Sequence, residues 1–466
     1  MLESLMFKKI ELWVVLLLAI AGLLGTMSFG WAVRHHVLGD HWLGSLGDIA
    51  VSVTALPGKA KEIFINSLST ETKFEKFFLQ PSRGQGSGVV VNSVNNDDLI
   101  LMSGAFEGGN ELRLIERDGT VVARWPVSYT TIFPDTSFLS SPPNDDLSVD
   151  THGALIEPDG SIVFNFDYAG TAKLSKCGSV IWSLKHPTHH SIEPAETGGY
   201  WVPGRITHKN IDENAFPPFS VTFGSGDIYD DIIMRVSADG IIMEQISVTE
   251  VLYRNNLESV LTATGYVFDP NKPNIDGIEL VHLNKIEELN SKFAEKFPDF
   301  KTGDLALSLR QQNLIIVVDP KTWKVRWRQT GPWVRQHDPE FTSQGTISVF
   351  DNAVYRTELK NGKSDPTAPR VSNITTVEPS YHSTKVIFGL REGQELYSVI
   401  RGKHEVKDDG GLLITEFEAG RVIETDAGGN IVWEYVNFYD DENVAEITEA
   451  RSYPRSYFTV DSWACG

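Results

Sequence analysis

A short phrase recurs along this chain: a tight turn followed by apolar residues at every second position, often with a tryptophan among them. It reads ERDGTVVARW at 116–125, SKCGSVIWSL at 175–184, SADGIIMEQI at 237–246, DPKTWKVRWR at 319–328, EPSYHSTKVIF at 378–388 and DAGGNIVWEY at 426–435. Such a repeat constrains the fold more than composition does, because a unit too small to bury its own apolar face must stack on its neighbours. A turn of the D-G or T-x-K kind running into period-2 alternation is a hairpin entering a half-buried strand. Further apolar pairs around a turn precede several phrases, as in ALIEPDGSIVF, SIEPAETGGYWV, TSQGTISVF and VKDDGGLLIT, so each unit supplies about four strands. Six units of four strands predict an all-β, six-bladed β-propeller. A sandwich or several barrels would also alternate, but neither demands a near-regular recurrence over roughly 350 residues. The longest interval, containing HLNKIEELNSKFAEKFPDFKTGD (282–304), is read as a loop or short helix above a blade.

Ahead of the repeats, residues 12–33 (LWVVLLLAIAGLLGTMSFGWAV) carry no charge. At about 1.5 Å per residue this run spans a hydrocarbon core of roughly 30 Å, and it exceeds the apolar core of a cleaved signal peptide. Lys8 and Lys9 precede it and Arg34 follows, which places the short amino-terminal flank inside and the C-terminal bulk on the periplasmic or extracellular side. The predicted organisation is a cytoplasmic tip and transmembrane anchor (1–36), a partly helical stalk or collar (37–84) and the propeller (85–466). With 62 acidic against 41 basic residues, the net charge of −21 repels nucleic acid and excludes it as a partner. Cys177 and Cys465 are too few for a disulfide scaffold and lack metal-type spacing; whether they pair is left open.

Histidine recurs at one place in the repeat. His152, His190, His337 and His404 each stand six to eight residues before a glycine turn, at the entrance of a unit's first strand pair, and His282 begins a fifth such pair. The first strand of every blade lines the central channel, so these imidazoles are expected to converge. Three uses are open to them: hydrogen-bonded bridges between blades, metal ligation, or nucleophilic attack on an electrophilic group such as a sulfuryl or phosphoryl. Local metal-binding spacing and a phosphate-cradling glycine loop are both absent from the sequence, so no metal, cofactor or nucleotide donor is expected.

The stretches HHSIEPAETGGYWVPGR (189–205), HLNKIEEL (282–289), GDLALSLRQQNLIIVVDPKTWKVRW (303–327) and RQHDPEFTSQGTISVFDN (335–352) resemble the bacterial arylsulfate sulfotransferases. That resemblance implies a six-bladed propeller that moves a sulfuryl group from an aryl sulfate donor to a phenolic acceptor through a transient sulfohistidine, without a nucleotide donor. By it, His282 and His337 hold the sulfate, Asn284 accompanies the first, and Arg356 or Arg370 supplies the arginine. The nucleophile of the pattern lies late in the last blade, where this chain reads ITEFEAG; His404 nearby is therefore taken as the nucleophile. His190 is the expected acid/base, and His152 is placed with the substrate-binding groups. Two rivals stand beside this reading: a non-catalytic extracytoplasmic binding propeller, and a metal-dependent propeller hydrolase.

Overall fold

The computed structural model describes residues 11–37, 41–68, 71–84, 86–208, 228–263, 278–355 and 363–465. They fall into two compact units, one ending at residue 70 and the other beginning at residue 71. In the first, the uncharged run forms a helix over Leu12–Val37, 26 residues with no buried side chain, in which an 18-residue window has a mean hydropathy of 2.3. This helix is long and apolar enough to cross a membrane. It extends past Val33 through Arg34, His35 and His36, and the Arg34 cation suits the partial negative charge of a helix C-terminus. A second helix, Ser45–Leu68, is longer than the short stalk helices expected, and Asp48 reaches back 2.9 Å to His36.

The second unit is the six-bladed propeller, each blade an antiparallel sheet. Blade 2 (Thr151–Ile156, Ile162–Phe166, Gly170–Leu174, Val180–Leu184), blade 4 (Leu283–Glu288, Leu305–Leu309, Leu314–Asp319, Lys324–Thr330) and blade 5 (His337–Phe341, Ile347–Asp351, Asn373–Glu378, Ser383–Phe388) are consecutive in sequence. Blade 3 (Glu193–Pro194, Tyr200–His208, Ile228–Val236, Ile242–Ser247) adds the short parallel strand Ile278–Glu279. Blade 6 (Lys403–Val406, Leu412–Glu416, Arg421–Thr425, Ile431–Val436) takes Gly88–Asn92 as a fifth, outer strand. Blade 1 combines Leu99–Phe106, Gly109–Ile115 and Val121–Pro126 with an innermost strand from the far end of the chain, Ile447–Tyr453. Both ends of the propeller sequence thus close the ring.

Middle strands such as Leu305–Leu309 are buried throughout, whereas outermost strands such as Val180–Leu184 are not. The middle of a blade is covered on both faces by its neighbours, which selects continuous apolar runs there. The recurrent phrase is the hairpin between the third and fourth strands, and its tryptophan has a repeated task. The indole N–H of Trp125 donates to Ser175 O (3.2 Å), Trp182 to Ala238 O (2.9 Å), Trp327 to Pro379 O (3.0 Å) and Trp433 to Arg117 O (2.7 Å), each time into the phrase of the next blade. Gly240, at φ +79°, serves this contact twice: it makes the turn, and a Cβ there would sit 2.6 Å from the Trp182 ring.

The predicted insertion over 282–304 is mostly blade: Leu283–Glu288 is an innermost strand, and only Ala294–Lys296 forms a helical turn. After the closing strand the chain crosses blade 1 to blade 2: Trp463 packs edge-on against Trp125 of blade 1, and Cys465 forms a disulfide with Cys177 of blade 2 across a Cα separation of 5.6 Å.

Candidate active site

The innermost strands begin irregularly. Register shifts interrupt their pairing at 151/154 in blade 2, 283/285 in blade 4, 337/340 in blade 5 and 447/449 in blade 1. A bulge of this kind re-aims a side chain. His190, His282, Asp338 and Arg401, at the same ends, have φ between 55° and 59°. Left-handed backbone at a non-glycine residue costs on the order of 1–3 kcal/mol and persists only where its surroundings enforce it. For His190 the enforcement is visible: Asn165 donates to the carbonyls of His189, His190 and Ser191, and a Cβ on Gly153 would lie 2.2 Å from His190 O.

These starts gather four of the five expected histidines. His190 Nε2 lies 3.2 Å from His282 Nε2, and its ring centroid lies 4.3 Å from that of His152 and 6.0 Å from that of His337. His189, one residue earlier, joins them with its Nδ1 2.8 Å from His190 Nδ1. Each ring is oriented by a partner behind it. His152 Nδ1 is 3.1 Å from Asp167, His282 Nδ1 is 2.8 Å from Glu279, and His337 Nδ1 is 2.7 Å from Asn352 Oδ1.

The Asn352 contact fixes a tautomer. Its amide nitrogen donates to Ser398 O (2.9 Å) and Arg401 O (2.8 Å), so its oxygen must be the atom facing His337. His337 therefore carries its proton on Nδ1, and its Nε2 presents a lone pair. That Nε2 is buried and has no hydrogen-bond partner among the described residues.

Burial and nearby cations keep these rings neutral. His190 and His337 are held well below the usual imidazole range, by burial first and then by neighbouring imidazoles for His190 and by Arg310 for His337. His282 is lowered by burial and Arg310, and His152 is pushed down to about 3 by burial and Arg401. Although burial opposes ionisation, His282, Arg205 and Arg310 hold Glu279 well below the carboxylate range.

Asn284, Arg370 and His404 lie elsewhere. Asn284 is buried and donates to Gln336 O (2.7 Å), bracing the residue before His337. Arg370 is half-buried with its charge acting on Glu395, and Arg356 lies outside the described residues. The arginines that act on the imidazoles are Arg310 and Arg401. Arg310 stands in the quoted phrase SLRQQ, two residues after a buried strand position, which was the signal available for it. Its Nε has no hydrogen-bond partner among the described residues. His404 has different company: Nε2 is 2.7 Å from Ser348 Oγ, and Nδ1 is 3.4 Å from Asp338.

Further along the innermost strands the channel is crossed by a closed ring of alternating charge. It runs Glu193–Lys285 (3.3 Å), Lys285–Asp338 (3.1 Å), Asp338–Lys403 (3.8 Å), Lys403–Glu449 (3.0 Å), Glu449–Arg451 (3.6 Å) and Arg451–Glu193 (2.9 Å). A cavity of about 370 Å³ adjoins it, lined by His404, Glu287, Glu340 and Glu405 among others. These three glutamates are surplus to the ring. Burial raises all three, Glu405 to about 7.

Residues 153–438 match the model of a family described as arylsulfotransferase (ASST). No curated protein matches the chain. Among solved structures, a Bacteroides caccae protein of unknown function is similar at 11% identity and a TM-score of 0.46, covering 77% of this chain and 99% of that one. Virginiamycin B lyase from Staphylococcus aureus is similar at 10% identity and 0.39, covering 78% and 88%, and the Neurospora crassa Pan2 WD40 domain at 8% and 0.39, covering 74% and 76%.

Proposed function

The chain belongs to the arylsulfotransferase (ASST) family, and from that premise we propose that it moves a sulfuryl group from an aryl sulfate to a phenol through a sulfohistidine on His337. The observation that carries this reading is the bare, buried Nε2 of His337, oriented by Asn352. A neutral imidazole attacks sulfur with that lone pair; the S–N bond forms as the bond to the aryl oxygen breaks, and the aryl oxide leaves with the electron pair. In the second half-reaction the acceptor phenol gives its proton to His282, whose imidazolium Glu279 stabilises, and its oxygen displaces His337 from sulfur. Arg310 meets the charge on the sulfuryl oxygens, a fixed donor in a water-poor site.

Ligand approach is assigned to a neighbouring cavity of about 360 Å³ with a largely polar lining, where Pro142, Pro143 and Tyr168 offer faces to an aryl group and Asp167 and Tyr168 lead to His152 and His189. No nucleotide donor or cofactor takes part. This reading moves the nucleophile from His404 to His337, because His404 Nε2 is bonded to Ser348 and its Nδ1 sits 3.4 Å from the Asp338 carboxylate, where an anionic sulfate would meet like charge. It takes Arg310, rather than Arg356 or Arg370, as the sulfate arginine.

The helix over Leu12–Val37 anchors the protein, with the propeller on the periplasmic or extracellular side. The disulfide Cys177–Cys465 supports that side, since such bonds persist in oxidising compartments. The test is incubation with 4-nitrophenyl sulfate and an acceptor phenol. Nitrophenol release, with one sulfuryl group added to the intact protein before acceptor is supplied, is expected. Binding of aryl sulfates without transfer would favour the non-catalytic propeller.

A further inference from the structure

The hydrogen-bond pattern behind the histidines leaves three lone pairs pointing at one another. His189 Nε2 faces two acceptors, Gly204 O at 3.2 Å and the Asp231 carboxylate at 3.5 Å, so the neutral ring carries its proton there and its Nδ1 is bare. His190 Nδ1, 2.8 Å from that bare nitrogen, must then be the donor, which strips the proton from His190 Nε2. His282 Nδ1 faces the Glu279 carboxylate at 2.8 Å and is likewise an N–H, leaving His282 Nε2 bare. Two bare nitrogens thus sit 3.2 Å apart, a repulsive contact unless a positive centre lies between them. The bare Nε2 of His337 completes the set, with the ligand atoms of the three rings within 4.8 Å of one another.

We propose that the Nε2 atoms of His190, His282 and His337 form a binding site for a divalent transition metal such as zinc, and that its occupation shuts off sulfuryl transfer. The second clause rests on the role given above to His337; the first does not. Imidazole is a ligand for zinc, cobalt, nickel and copper. Metal–nitrogen bonds of about 2.0–2.1 Å set the edge of a tetrahedral site near 3.3 Å, close to the His190–His282 separation. Three protein ligands leave a fourth position open. Each ligand is backed as metal-binding imidazoles generally are, His282 by a carboxylate, His337 by an amide oxygen and His190 by His189. Glu279 adds counter-charge beside Arg310. No spacing in the sequence announces the site because blades 3, 4 and 5 each supply one ligand at their entrance. A metal there consumes the lone pair that would attack sulfur, so metal and sulfuryl group exclude each other.

The test uses the full chain, freed of metal with a chelator and titrated with cobalt(II), whose visible bands report coordination, and with zinc by calorimetry. One equivalent of saturable cobalt with the absorption of a four-coordinate nitrogen site is expected. Binding should be lost in His190→Ala and weakened about 10–100-fold in the milder Glu279→Gln, with circular dichroism confirming that both fold. Zinc should inhibit nitrophenol release by chelator-treated protein, and chelator should reverse it. Absence of saturable binding to folded wild type, or binding unchanged in His190→Ala, overturns the site. Metal binding with transfer undiminished overturns the inhibitory role alone. Transfer that requires added metal overturns that role and the metal-free mechanism, and transfer absent with and without metal, while cobalt binds, refutes only the enzymatic reading.

Discussion

The ammonium of Lys285 lies 3.1 Å from the carboxylate of Asp338, the residue that follows His337 in the chain. Lys285 also pairs with Glu193, Glu287 and Glu340, so one buried cation answers carboxylates of three blades. Removing one partner of a buried ionic set leaves the others uncompensated and costs roughly 3–5 kcal/mol. Lys285→Met is expected to lower the thermal midpoint by that equivalent, read by calorimetry. A change of less than about 1 kcal/mol would show the ring to be solvated in solution.

His337 and His404 are separable by mutation. His337→Ala should abolish both transfer and the sulfurylated protein, and Arg310→Ala should lower kcat/KM by about 10²–10³, the usual effect of losing one charge-stabilising donor. His404→Ala should keep the transfer rate and lose about 1 kcal/mol of stability with its Ser348 bond. Loss of covalent labelling in His404→Ala, with His337→Ala still labelled, would return the nucleophile to blade 6.

The pH profile of the first half-reaction follows from the neutral nucleophile. Attack needs the unprotonated ring, and burial with Arg310 nearby holds His337 well below the usual imidazole range. The single-turnover rate of sulfurylation is therefore expected to stay level as pH falls from about 8 to about 5.5, across the ordinary histidine value of roughly 6.5. An acid limb near that value, absent from substrate binding, would contradict the assignment.

Stability should fall on the alkaline side. Burial, with Asp150 adding to it against Arg401, raises Glu446 from 4.5 to about 8. The folded state holds this proton where the unfolded state has released it. Its contribution is complete below pH 4.5 and is lost as pH rises through about 8. Glu405, raised to about 7, acts with the same sign. His152, lowered from 6.5 to about 3, acts oppositely but only below pH 6.5, where stability drops as pH falls. Between pH 6.5 and 9 the melting temperature should decline, and Glu446→Gln should flatten much of that slope, a difference on the order of a few kcal/mol. Parallel profiles for the two proteins would show an unshifted carboxyl.

Cys465→Ser should cost about 2–5 kcal/mol, the common loss for a native disulfide. The same shift should appear in wild type under reductant, measured by denaturant midpoints. An unchanged midpoint would mean that packing of Trp463 on Trp125 alone holds the tail.

The propeller was legible because its signals are local. A glycine turn and a period-2 run are written within ten residues, and the tryptophan that staples one blade to the next stands in the same phrase. The histidines were legible for the same reason, since His152, His190 and His337 share a place in the repeat. His404 shares it too, yet its Nε2 is bonded to Ser348, and repeat position does not encode that choice. Arg310 was missed because it lies one strand away from its imidazoles and reaches them only through the turn of blade 4. The ring of alternating charge was invisible for a similar reason: Glu193, Lys285, Asp338, Lys403 and Glu449 come from five blades, and nothing in any one segment announces a partner.

Blade 1 waits for its innermost strand until Ile447–Tyr453 has been made. While the polypeptide leaves the ribosome, Leu99–Phe106 offers an unpaired edge to whatever is near, and Glu449 and Arg451 have yet to arrive. The ring cannot close blade by blade as the chain emerges: until Ile447–Tyr453 is made, the channel lacks one of its six innermost strands and two of the six charges that cross it.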